Sequence, residues 1–64
     1  MYYVQYKAVG DQWVTEKKLA SLDGALEYAI AEAMDAYSVP HRVLTTKKSG
    51  RVKVLAKFKP LRNA

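Results

Sequence analysis

Residues 51–60 read RVKVLAKFKP, with a positive charge at almost every second position. Val52, Val54, Ala56 and Phe58 take one set of alternate positions, and Arg51, Lys53, Leu55, Lys57 and Lys59 take the other. In a strand, successive side chains point to opposite faces, so the run would separate an apolar side from a basic one. Wound as a helix at 100° per residue, the four charges fall at about 0°, 200°, 240° and 80°, and no polar face forms. The strand orders these residues and the helix does not. A basic helix of the membrane-surface or calmodulin-binding kind is therefore disfavoured.

Working back from this strand, residues 41–48 (HRVLTTKK) form its partner across Ser49-Gly50. A two-residue loop sets Val43 and Thr45 inward, opposite Ala56 and Val54. A longer loop with Gly50 left-handed sets Leu44 inward instead. The two-residue loop is the preferred reading. At the other end of the chain, residues 2–8 and 13–19 are β-prone runs split by Gly10-Asp11, a second hairpin. With Gly10 and Asp11 as its loop, Ala8 faces Trp13, Tyr6 faces Thr15 and Val4 faces Lys17. Tyr2, Val4, Tyr6, Ala8, Trp13 and Leu19 then make the core face, with Trp13 its largest anchor.

Between the hairpins, Ser21 is placed as an N-cap and Asp23 suits the positive end of the helix dipole. Leu22, Ala25, Leu26, Ala29, Ile30, Ala33, Met34 and Tyr37 recur at helical spacing as one apolar stripe, ending before Pro40. Asp23, Glu27, Tyr28, Ala31, Glu32 and Asp35 are read as the outer side, where Tyr28 and Ala31 form a small apolar spot rimmed by acids. The expected fold is α+β, ββαββ, with one amphipathic helix on a four-stranded, mainly antiparallel sheet. It fills a single domain over residues 1–64, with 60–64 as a frayed tail.

Sixty-four residues bury a modest core, and a homodimer is one way for so small a domain to gain stability. There is no cysteine, hence no disulfide or thiolate site, which fits a cytoplasmic setting. No apolar run approaches the ~18 residues of a membrane span. The net charge is +5 and it is unevenly spread. From Arg42 onward there are only cations, whereas Asp23, Glu27, Glu32 and Asp35 lie in a stretch without Lys or Arg. Such asymmetry points to electrostatic partners.

The chain carries no nucleophile motif, and its acids lie in neither HExxH nor EF-hand spacing. His41, the single histidine, is read as structural. No catalytic residue, metal site or cofactor is expected. The candidate binding residues are Arg42, Lys48, Arg51, Lys53, Lys57 and Lys59, on the outer face of the C-terminal hairpin. Lysines on a strand also discourage edge-to-edge pairing, which explains part of the pattern without any ligand. An RNA-recognition motif is disfavoured, since it needs a second helix and rings on its central strands, and Tyr3 alone is a weak stacking platform.

Over residues 13–34, the hairpin followed by the SLDGALEYA helix is similar in outline to two kinds of small protein. These are phage-encoded inhibitors of RNA polymerase and the N-terminal part of HicB-type antitoxins. No diagnostic motif of either is present, and no functional residue is carried over from them. Two functions are expected. The first is a small basic module contacting nucleic-acid phosphates. The second is a regulatory protein of the phage or prophage effector type that binds a charged host protein.

Overall fold

The computed structural model describes residues 1–34 and 39–59. Its elements are β1 (Tyr2–Ala8), β2 (Gln12–Leu19), α1 (Leu22–Ala33), β3 (His41–Thr46) and β4 (Val52–Phe58). This is the ββαββ order, and the four strands form one sheet in the order β2-β1-β3-β4 with every neighbouring pair antiparallel. β1 and β3 are central; β2 and β4 are the edges. The helix lies on one side, and the molecule measures 39 × 26 × 15 Å. A thickness of 15 Å has room for only two layers.

Both hairpins depart from the expected register in the same way. The first has a three-residue connection, 9–11, in which Gly10 and Asp11 take left-handed φ values of 85° and 60°. Glycine meets no steric penalty there, and aspartate tolerates the region better than most residues. The extra loop residue pairs Trp13 with Lys7 and Tyr6 with Val14. A bulge at Glu16 then absorbs the shift, so Val4 pairs with Lys17 as expected. In the second hairpin the Gly50 amide donates to the Lys47 carbonyl at 2.8 Å, Gly50 has φ 87°, and the Lys47 amide donates to the Arg51 carbonyl at 2.8 Å. The longer, left-handed loop is therefore the one formed, yet Val43 and Thr45 face the helix, as the two-residue loop had them, and Leu44 faces away. Thr45 meets Lys53 and Leu44 meets Val54, then a bulge at Leu55 returns Val43 to Ala56.

These slips change which residues form the core. Val4 and Val43, on the two central strands, are its largest fully buried side chains. They pack against Ala25 and Ala29 of the helix, with Tyr2, Leu19, Leu22, Leu26, Tyr28, Ala56 and Phe58 around them. Trp13 is not in this core, because its partner Lys7 points away from the helix. Val52 and Val54 are not core residues either, at 55% and 38% exposure. The loop and the Leu55 bulge turn them to the opposite side.

Ser21 caps the helix as expected, its Oγ accepting from the Gly24 amide at 3.0 Å. Ala25, Ala29 and Ala33 are the buried line, and their small side chains let the helix lie close to the valines. Relative to the expected stripe the helix is rolled. Ile30 and Met34 are exposed, whereas Tyr28 and Glu32 are half-buried. The Tyr28–Ala31 spot is accordingly not an outer seam, since Tyr28 packs on the core. Tyr37, Asp35 and the expected tail at 60–64 lie outside the described residues. Ser21→Ala should cost about 1 kcal/mol in chemical denaturation, the usual worth of such a cap.

Candidate functional site

Among the described residues no helix or strand lies over the side of the sheet away from α1, although Leu44 on that side is only 3% exposed. Directly opposed residues share a face, so the register defines rows across that side. One row is Lys18–Tyr3–Leu44–Val54, the next is Thr15–Gln5–Arg42–Lys57, and the last is Trp13–Lys7. The middle row is wired together. Arg42 Nε donates to Gln5 Oε1 at 2.7 Å, and Gln5 Nε2 donates to Thr15 Oγ1 at 3.2 Å. That pins the Arg42 stem while leaving the terminal guanidinium nitrogens as a donor fork.

The rings lie beside the cations. Arg42 Cζ stands 4.4 Å from the Trp13 ring centre, Lys7 Nζ 5.9 Å from the same ring, and Lys18 Nζ 5.9 Å from the Tyr3 ring. Each is within cation–π reach. Lys7 also meets Asp11 at 3.5 Å, an exposed contact of small energetic weight. Among the described residues no carboxylate forms an ion pair with Arg42, Lys18 or Lys57.

The six residues expected to form one basic face are separated. Arg42 and Lys57 are direct partners on the outer side. Lys59 follows β4, exposed, two positions beyond Lys57. Lys53 pairs with Thr45 and so belongs to the helix side, and Arg51, two residues earlier, precedes the strand. Lys48 is at the exposed hairpin tip. The bulge at Leu55 is the cause: alternation counted straight through it assigns the residues before it to the wrong side. β4 is an edge strand, so its lysines also guard an open ladder. In their place β1 and β2 bring Lys7, Lys18, Tyr3 and Trp13 to the outer side.

A second polar group lies under the helix. The bulge turns Glu16 toward His41, whose Nε2 is 3.5 Å from Glu16 Oε1. Glu32, the penultimate residue of the helix, completes a trio whose ligand atoms all lie within 4.8 Å of one another. His41 is buried, and its Nδ1 is 2.7 Å from the Val39 carbonyl. The Lys7 amide donates to the Pro40 carbonyl at 2.9 Å and so holds the entry to β3 in place. Partial burial first, and then the Glu16 and Glu32 charges with their hydrogen bonds, raise the Tyr28 phenol above its ordinary value.

The fold and the two sites define a two-layer ββαββ domain with an open cationic and aromatic sheet face. Compared with family models, with curated proteins and with solved structures, the chain finds no match.

Proposed function

We propose that the protein is a non-enzymatic module that holds single-stranded nucleic acid across the open face of its sheet. Arg42, Lys7, Lys18 and Lys57 contact phosphates, with Lys59 extending the same side, and Trp13 and Tyr3 offer rings to unpaired bases. The observation that carries this reading is Arg42 beside Trp13. Edge protection explains lysines on β2 and β4, but it does not explain an arginine on central β3 held next to a half-buried ring on the same face. Rings flanked by cations are what sequence-tolerant single-strand binding uses.

Gel retardation of single-stranded and duplex oligonucleotides, at low and moderate salt, tests this. Single strands should be held better than duplex. The logarithm of affinity should fall against that of salt with a slope of about −0.7 per phosphate neutralised. Absence of retardation at low salt overturns the reading.

A charged protein partner is the second reading, favoured by exposed Val52 and Val54 on the edge strand. An open edge with apolar side chains is a place where an extended segment adds as a further strand. That reading expects indifference to nucleic acid and co-purification of one cellular protein.

A further inference from the structure

The trio under the helix gathers one imidazole and two carboxylates whose ligand atoms lie within 4.8 Å of one another. His41 is 4% exposed, and its Nδ1 faces the Val39 carbonyl at 2.7 Å. A carbonyl only accepts, so Nδ1 carries the proton, and in the neutral ring Nε2 is a bare lone pair. Nε2 faces Glu16 Oε1 at 3.5 Å, longer than the usual 2.7–3.2 Å of an N–H···O bond. Two ligands held ~2.0–2.1 Å from a tetrahedral zinc stand roughly 3.4 Å apart, which is this separation. Glu32 brings a second carboxylate within 4.8 Å, and among the described residues no Lys or Arg forms an ion pair with either acid.

We propose that Glu16, Glu32 and His41 bind one divalent cation of the zinc type, joining β2, α1 and β3. One imidazole and two carboxylates suit zinc, with the fourth position left to water. The surroundings match such a site. A ligating histidine is commonly oriented by its other N–H on a backbone carbonyl, as His41 is by Val39. The bulge at Glu16 aims its carboxylate inward. A cation there would staple the helix to the sheet in a chain too short for a large core. The proposal is independent of nucleic-acid binding.

The test uses the full chain freed of metal with a chelator. Zinc chloride is titrated calorimetrically and in thermal unfolding, with magnesium chloride in a parallel arm, and the His41 ring nitrogens are followed by NMR. The expected result is one zinc per chain, a Tm that rises with zinc concentration, and a shift of the Nε2 resonance while Nδ1 keeps its proton. Magnesium should do none of this. Glu32→Gln should fold as the parent does without metal and bind zinc at least about tenfold more weakly, while Glu27→Gln, exposed on the same helix, should bind as the parent does. Three results overturn the proposal. One is failure to take up stoichiometric zinc, as an imidazolium paired with the two acids would produce. Another is uptake unchanged by both Glu32→Gln and Glu16→Gln. The third is an equal response to magnesium.

Discussion

Arg42→Glu combined with Lys57→Glu should abolish retardation of single-stranded oligonucleotides at low salt, whereas Lys53→Glu should leave binding within about twofold of the parent. The three residues look alike along the chain. In the sheet, Arg42 and Lys57 are partners on the open side, and Lys53 lies beyond the Leu55 bulge on the helix side. If phosphates follow the open face, each lost contact reduces the magnitude of the salt slope by about 0.7. Trp13→Ala should act differently. It removes a stacking surface worth about 1–3 kcal/mol per base, roughly 5- to 150-fold in affinity, with little change in the salt slope. The Gln5–Thr15 part of the thread does not depend on Arg42, and circular dichroism checks that the variants remain folded. Equal losses from Lys53→Glu and from the double variant would mean that diffuse charge, and not this face, does the binding.

Val4→Ala is expected to lower stability by about 2–3 kcal/mol, the transfer value of two buried methylene equivalents plus the cavity they leave. For a domain this small that corresponds to a Tm fall of roughly 15–20 °C. Val52→Ala should stay within about 0.5 kcal/mol, as surface changes do. The pair measures the bulge directly. Val4 is fully buried on a central strand, while Val52 is 55% exposed on the outer side of an edge strand. Continuous alternation through residue 55 would put Val52 in the core, and its truncation would then cost several times more. A large loss at Val52 would contradict the register.

The element order could be read from the chain because each element had its own signal. Ser21 marks the helix start, the alanine spacing gives its period, and period-two patterning rejects a helix at 51–59. The faces were less legible. Alternation is a count, and one extra residue inverts everything counted after it. Gly10-Asp11 and Ser49-Gly50 each mark a turn but do not specify whether two or three residues close it. Bulges at Glu16 and Leu55 have no sequence mark of their own. Alternation alone therefore puts Trp13 in the core and hides its place beside Arg42. The trio of Glu16, Glu32 and His41 was illegible for another reason: its members are far apart in sequence, on three elements, and no fixed spacing exists to recognise.

Each bulge is also a length of slack. Removing Leu55 would leave every cross-strand pair of the second hairpin in place, since Val54 already meets Leu44 and Ala56 already meets Val43. The same holds for Glu16 between Thr15 and Lys17. The hairpin tips can thus gain or lose a residue without turning Val4 or Val43 outward. Insertions that would scramble an unbulged sheet become local events, confined to the ends of the molecule.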